Sequence, residues 1–138
     1  MNFQTVLAEA LEKQEDIVFA YLFGSFAKEK THSQSDLDIA VYLKGDFKKD
    51  FKERKLELIG LILEITRANQ IDLLILNETS PLVIHSVLKT GKLLFSKDEE
   101  ERIGFIVKNL NEYLDLYFQL KICWSAMRKR IKENHFGF

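Results

Sequence analysis

The sequence predicts an α/β domain in which short strands alternate with helices and one long helix ends the chain. Three observations carry this prediction. Short apolar, β-rich runs alternate with segments whose apolar residues recur every three or four positions. The recurrence then continues without a break from residue 98 onward. The 138 residues include one proline and six glycines, so nothing marks a linker, and we expect a single domain over residues 1–138.

Each element follows from a local pattern. Apolar residues at helical spacing predict helices, and apolar β-rich runs predict buried strands. Ser80-Pro81 provides a helix cap followed by a first-turn proline, the arrangement typical of a helix start. The predicted elements are a helix over 1–14, strands over 17–23 and 36–42, a helix over 47–69, a strand over 71–76, a helix from 80 to about 90, a short edge strand over 92–95, and a long helix from 98 onward.

Composition and charge exclude several classes of protein. With 20 basic and 21 acidic residues, the net charge of −1 offers little nonspecific affinity for nucleic acid. The one cysteine, Cys123, cannot form an internal disulfide, and we expect it to be buried on its helix. The N-terminus lacks a signal-peptide pattern and no apolar run is long enough to span a bilayer. We therefore expect a cytoplasmic protein without membrane contact.

The long helix carries more apolar residues than one helix face requires. One stripe follows a sustained spacing of three and four: Ile103, Ile106, Leu110, Tyr113, Tyr117, Leu120, Trp124, Met127 and Ile131. Phe105, Leu116, Phe118 and Ile122 fall off this stripe. Either they pack on the sheet as a second core face, or they form an exposed patch for a partner, and we expect the helix to contribute to a protein interface. By contrast, the charge-dense segment 44–57 is predicted to be a solvated helix face.

A turn that suits phosphate binding follows the first predicted strand. Gly24-Ser25 comes directly after the apolar run 17–23, where backbone N–H groups can approach an anion without a side chain in the way. The Ser25 hydroxyl adds another donor. The segment therefore predicts a site for the phosphates of a nucleotide.

Acidic residues on two predicted strands supply candidate metal ligands. Asp36 and Asp38 are two residues apart, so both carboxylates point to the same side of their strand. Paired carboxylates repel each other and lose solvation, a cost that Mg²⁺ removes, and Mg²⁺ binds through one or two carboxylates plus phosphate. Asp72 begins the strand over 71–76, which could lie beside the first pair. It could accept a proton from an attacking hydroxyl or complete a second metal site.

Gly24-Ser25 followed after ten residues by Asp36-x-Asp38 resembles the signature of the DNA polymerase β-like nucleotidyltransferase superfamily. The small size, the wording AYLFGSFAKEKTHSQSDLDIAV, and IDLLIL before a C-terminal helix are similar to the minimal nucleotidyltransferases, called MNT proteins. This resemblance implies a short mixed β-sheet flanked by helices, with a long C-terminal helix.

The resemblance also implies roles for individual residues. The glycine-serine turn would hold the triphosphate of ATP, the first two aspartates would hold Mg²⁺, and the third would act as base and metal ligand, with two Mg²⁺ ions expected. These roles fall on Gly24, Ser25, Asp36, Asp38 and Asp72. Two further residues are assigned to nucleotide binding, Lys28 and Ser35. Many relatives have arginine where this chain has Lys28, so a phosphate contact from Lys28 would be weaker than a bidentate arginine clamp.

MNT proteins pair with HEPN ribonuclease toxins. The resemblance therefore implies an antitoxin in a hetero-oligomer, which transfers AMP from ATP to a toxin hydroxyl, with tyrosine the expected acceptor. Two alternatives stay open: a transferase for a small hydroxyl compound such as an aminoglycoside, and a binding module that neutralises a toxin by occlusion. Nucleic acid is not an expected direct partner.

Overall fold

The computed structural model describes residues 3–24, 36–45, 50–68 and 70–134. Strands and helices alternate after the first helix, as the sequence predicts. The elements are α1 (Phe3–Glu12), β1 (Ile17–Phe23), β2 (Leu37–Leu43), α2 (Phe51–Thr66), β3 (Ile71–Ile75), a 3₁₀ turn (Leu76–Glu78), α3 (Pro81–Thr90), β4 (Lys92–Ser96) and α4 (Glu99–Asn134).

The four strands form one mixed sheet in the order β3–β2–β1–β4. β1 is antiparallel to both β2 and β4, and β2 is parallel to β3. A parallel pair needs a long crossover, and α2 supplies it. The register places Phe23 opposite Asp38 and Asp38 opposite Asp72. The mixed sheet with flanking helices confirms the fold that the resemblance implies.

The two faces of the sheet pack against different helices because side chains alternate along a strand. One face packs against α1 and α2, where Leu7, Leu11, Leu58 and Ile62 are fully buried. The other face packs against α3 and the start of α4, in a cluster that includes Ala40. Asp38 lies two residues before Ala40 on β2, so both side chains are on this second face.

A buried ion pair joins α2 to the turn before β1. Arg54 is 9% exposed and donates two hydrogen bonds of 2.7 Å to the carboxylate of Asp16. It also donates to Glu57 and Gln14, each at 3.0 Å. The hydrogen bonds that Arg54 donates to Asp16 are the largest of the causes that raise the pKa of Arg54. The prediction of a fully solvated face over 44–57 is therefore wrong at Arg54, because the fold supplies a carboxylate 38 residues away.

Among the residues that the structure describes, α4 contacts the domain through its first half. The Phe105 ring lies 4.8 Å from the Tyr42 ring, Asn109 is buried, and Tyr113 stacks on His85 at 3.7 Å. Phe105 thus belongs to the core, whereas Phe118 and Ile122 are exposed.

Beyond Leu116, every described side chain of α4 faces solvent. Cys123 is exposed, so the prediction that it is buried is wrong. The physical reason is that this half of the helix extends past the domain, where no described element packs on it. None of the described helices combines the length and apolar character needed to cross a membrane.

Candidate active site

Three acidic residues meet at the edge of the sheet where β1 ends and β2 and β3 begin. Asp38 and Asp72 are register partners on neighbouring parallel strands, so their side chains lie on the same face. Asp36 directly precedes β2, two residues before Asp38. The prediction that the strand carrying Asp72 lies beside the Asp36–Asp38 pair is confirmed. We call these three residues the aspartate cluster.

Gly24 brings the backbone at the end of β1 against this cluster. Its φ of +73° lies in the left-handed region, which side-chain-bearing residues rarely adopt. A Cβ built on Gly24 would collide with the carboxylate of Asp38, so there is no space for a side chain. Position 24 therefore requires glycine for two reasons, its backbone conformation and the lack of space for a side chain. As a result, the main chain lies directly beside the Asp38 side chain.

The surroundings of Asp38 disfavour the ionised form of its carboxyl group. Asp38 is half-buried, whereas Asp36 and Asp72 are exposed. Burial, followed by the charges of Asp72 and Asp36, raises the pKa of Asp38 above its ordinary value of 3.8. All three causes penalise the ionised carboxylate. A cation at this edge would reverse the penalty, as expected for a site that binds a metal ion with phosphate.

The oxygen donors present suit Mg²⁺, but they do not form a closed cage. Over residues 3–24, 36–45, 50–68 and 70–134, no group of three His, Cys, Asp or Glu side chains is arranged to hold a metal by itself. Such an open arrangement is compatible with Mg²⁺, which usually binds one or two carboxylates and completes its coordination shell with water and substrate phosphate. Ser25, Lys28 and Ser35, which the sequence assigns to nucleotide binding, lie outside the described residues.

The end of α3 packs against the last residues of β1, the strand that precedes Gly24. Gly91 follows α3, and its N–H donates to the carbonyl of Val87 at 2.7 Å. A Cβ at Gly91 would collide with that carbonyl and crowd the carbonyl of Leu22 at 3.3 Å. The absent side chain lets α3 approach the last residues of β1, and so helps position Gly24.

A second feature of this face was not predicted from the sequence. A cleft of about 440 Å³ lies between α4, the 3₁₀ turn and the start of α3, and Tyr42, Asn77 and Asn109 line it. Asn109 is 3% exposed, and its Oδ1 has no hydrogen-bond partner among the described residues. Tyr42 lies four residues after Asp38 on β2, about 13 Å along the strand. Only the packing of α4 creates this cleft; the sequence signal was a polar residue, Asn109, on the helix face that carries Phe105 and Tyr113.

Comparisons with known proteins agree with this geometry. A Methanocaldococcus jannaschii protein, named as a candidate protein adenylyltransferase, is 28% identical over 116 residues, which cover 84% of this chain and 76% of that protein. A chain of a toxin–antitoxin crystal structure with AMP-PNP matches with a TM-score of 0.73 and 23% identity, covering 92% of this chain and 99% of that one.

A third match comes from the complex of a tri-AMPylated Shewanella oneidensis HEPN toxin with an MNT antitoxin. Its TM-score is 0.67 at 21% identity, with coverage of 91% of this chain and 99% of that chain. These two structural matches establish the fold. Residues 6–100, which include Gly24 and the whole aspartate cluster, match the family described as polymerase beta, nucleotidyltransferase. The protein is therefore a member of the polymerase beta nucleotidyltransferase family.

Proposed function

We propose that this protein is an antitoxin that transfers AMP from ATP to a hydroxyl group of a HEPN-type toxin. The observation that carries the proposal is the aspartate cluster against the Gly24 backbone, within a chain of the nucleotidyltransferase family. The relatives support the substrate class, since one is named for protein adenylylation and another is complexed with an AMPylated HEPN toxin. Because ATP is the donor, the protein acts in the cytoplasm, where ATP is available.

The site residues have two kinds of role, metal binding and nucleotide binding. Asp36 and Asp38 would hold Mg²⁺, and Asp72 would contribute to a second Mg²⁺; the ions would supply charge neutralisation for the phosphates. Gly24 would place backbone N–H groups at the triphosphate. The resemblance implies further nucleotide contacts at Ser25, Lys28 and Ser35.

The transfer moves one adenylyl group and one proton. The hydroxyl oxygen of the acceptor attacks the α-phosphorus of ATP, forming an O–P bond, while the bond to the β-phosphate oxygen breaks and pyrophosphate leaves. Asp72 is exposed, so its carboxylate can reach an acceptor outside the domain and take the proton. A tyrosine hydroxyl suits this step, since its ordinary pKa of about 10 is far below that of an aliphatic alcohol.

The test separates nucleotide binding from transfer. The protein is incubated with Mg²⁺, ATP and the HEPN protein that co-purifies with it, and the intact mass of the HEPN protein is measured. We expect whole AMP increments with the wild type. Asp72→Asn should keep ATP affinity within a few-fold yet give no increments, while Glu78→Gln, an exposed carboxylate change outside the cluster, should transfer normally.

Two outcomes contradict the proposal. Labelling of a small molecule or an RNA 3′ end, with the HEPN protein never labelled, overturns the protein acceptor but not the nucleotidyltransfer. Neutralisation of the HEPN protein by an Asp72→Asn variant that transfers nothing shows that binding alone is the antitoxin function.

A further inference from the structure

The cleft between α4, the 3₁₀ turn and the start of α3 contains a buried polar group without a partner. Asn109 lines this cleft and is 3% exposed, yet its Oδ1 has no hydrogen-bond partner among the described residues. An unpaired buried acceptor costs free energy, and a hydrogen-bond donor in the cleft would remove that cost. Rotation of the Asn109 amide can turn Oδ1 toward the cleft, whose volume of about 440 Å³ is typical of small-molecule sites. We call this space the α4 cleft.

One wall of the α4 cleft is a single face of α4. Its residues Glu101, Phe105, Asn109 and Glu112 follow spacings of four, four and three. The wall therefore has a carboxylate at each end, with an aromatic ring and an amide between them, over about 16 Å of helix. The ring of Tyr42, which also lines the cleft, lies 4.8 Å from the Phe105 ring and adds to the apolar part of the site.

The charges around the α4 cleft favour a cation. Its lining includes the carboxylates of Glu101 and Glu112, against one basic residue, Lys108, among the described residues. The negative charge of Glu101 acts within the cleft, since burial and then this charge raise the pKa of the Tyr42 hydroxyl above its ordinary value of 10.0. Tyr42 is therefore neutral at pH 7. Because Asn109 Oδ1 and both carboxylates are acceptors, a matching ligand carries N–H donors and positive charge.

The α4 cleft is separate from the aspartate cluster. Tyr42 lies four residues after Asp38 on β2, about 13 Å along the strand. Between them, Ala40 lies on the same face and is fully buried in a cluster with Ile84 and Val87 of α3. Because α3 covers the sheet at this point, a nucleotide at the aspartate cluster has no path along β2 into the cleft. A ligand of the cleft is therefore a second ligand.

We propose that the α4 cleft binds a linear aliphatic polyamine. One of its amine N–H groups donates to Asn109 Oδ1, and its terminal ammonium groups pair with Glu101 and Glu112 through charge-assisted hydrogen bonds. The methylene groups lie against the rings of Phe105 and Tyr42, where the neighbouring cations also gain cation–π attraction. A monoamine would satisfy only part of this wall, and a diol would lack the charge that the carboxylates require.

Titration calorimetry with spermidine tests the ligand class. The full chain is titrated at physiological salt with Mg²⁺ in excess, so that Mg²⁺ competes for the aspartate cluster. We expect one spermidine per chain, bound at least tenfold more tightly than n-butylamine, and no detectable binding of 1,4-butanediol. Absence of spermidine binding, or equal affinities for spermidine and butylamine, overturns the proposal.

Glutamate substitutions test whether the binding is specific to the α4 cleft. Glu101→Gln and Glu112→Gln each remove a carboxylate from one end of the wall, whereas Glu100→Gln removes an exposed carboxylate of the same helix outside the cleft. All three side chains are exposed, so the variants should fold like the wild type. We expect the first two to weaken spermidine binding at least fivefold and Glu100→Gln to change it less than twofold. Equal effects at all three positions would show nonspecific attraction to an acidic helix and overturn the proposal.

Asparagine substitutions test the buried acceptor. Asn109→Leu removes the unpaired amide, so the Tm of the ligand-free protein should stay the same or rise while spermidine binding weakens at least tenfold. Asn111→Leu makes the same change at an exposed position of α4 outside the cleft and should leave binding within twofold of the wild type. An Asn109→Leu protein that folds and binds spermidine normally contradicts the proposal. Binding that is lost in Asp38→Asn but kept in the cleft variants would place the polyamine at the aspartate cluster, which also overturns it.

Discussion

Asp38 is the residue on which the properties of the site converge. Its register partner Asp72 and its neighbour Asp36 add negative charge, and the Gly24 backbone lies against its carboxylate. The fold therefore keeps a carboxylate at a position where its ionised form destabilises the metal-free protein. Such a cost is typical of a functional site, where a bound cation offsets it.

The raised pKa of Asp38 sets the sign of a pH-dependent stability difference. Below its ordinary value of 3.8, Asp38 is protonated in both the folded and the unfolded state, so its ionisation costs nothing. As pH rises through the raised pKa, the folded state bears a penalty that the unfolded state lacks. We expect metal-free Asp38→Asn to have a higher Tm than the wild type at pH 7, with the difference shrinking as pH falls toward 3.8.

The thermal melts are repeated with Mg²⁺ and ATP. The ligands should raise the Tm of the wild type and leave that of Asp38→Asn nearly unchanged, because binding to the folded state alone stabilises it. An equal Tm for both metal-free proteins across the whole pH range would contradict the assigned repulsion.

Gly24→Ala tests the close approach of backbone to carboxylate. Alanine at positive φ costs about 1–2 kcal/mol, and its Cβ also displaces the Asp38 side chain. We expect a lower free energy of unfolding and weaker ATP binding, measured by denaturant melts and calorimetry. Gly60→Ala is the matched control: Gly60 is an exposed helix residue with open space around it, so alanine should stabilise α2 by up to about 1 kcal/mol. A Gly24→Ala protein that binds ATP normally would show that the turn does not contact the nucleotide.

At the scale of elements, α2 is attached to the sheet by both apolar packing and one ion pair. Leu58 and Ile62 pack on the sheet, and Arg54 reaches past them to Asp16 in the turn before β1. The bidentate geometry satisfies both carboxylate oxygens of Asp16, which makes burial of the pair tolerable. The same helix is the crossover that allows β2 and β3 to run parallel, so its attachment affects the register of the aspartate cluster.

Removing one partner of this pair should cost more than removing both. Arg54→Met leaves the buried Asp16 carboxylate uncompensated, and we expect a loss of about 3 kcal/mol in the free energy of unfolding. The double variant Arg54→Met/Asp16→Leu should recover most of that loss. Lys52→Met, an exposed change on the same helix, should stay within about 0.5 kcal/mol of the wild type. Equal losses for Arg54→Met and Lys52→Met in urea melts would contradict the structural role of the pair.

At the scale of the whole molecule, the chain divides into a folded core and a projecting helix. The sheet with α1, α2, α3 and the first half of α4 contains the buried side chains, whereas residues 117–133 are all exposed. The aspartate cluster lies at the start of β2, and α4 crosses the same face near the other end, at Tyr42. The aspartate cluster and the projecting half of α4 are therefore separate parts of one small protein.

Truncation after Leu116 tests this division. The shortened chain retains Phe105, Asn109 and Tyr113, so we expect it to melt cooperatively and to bind ATP with the affinity of the full chain. The melts are compared at nanomolar concentration by fluorescence of the tyrosines, where association does not contribute. A truncated chain that no longer melts cooperatively would show that the outer half stabilises its own domain.

Local pattern predicted most of the elements and brought out the acidic residues of the candidate site. The strand bounds Ile17–Phe23 are those predicted, and Asp38 and Asp72 lie side by side on neighbouring strands, whereas Asp36, predicted inside its strand, directly precedes β2. Strand periodicity and turn chemistry are short-range properties, so a single sequence carries them. The roles of Ser25, Lys28 and Ser35 remain predictions.

Features that depend on contacts between residues far apart in the sequence follow only from the tertiary structure. The register of Asp38 with Asp72, the burial of Arg54 and the exposure of Cys123 each depend on residues far away in sequence. The long helix shows this most clearly: the domain packs on Tyr113 of its regular apolar stripe and on Phe105 and Asn109 outside that stripe, while most of the stripe is exposed. Periodicity identifies which residues share a helix face, and only the position of the neighbouring elements determines which face is covered.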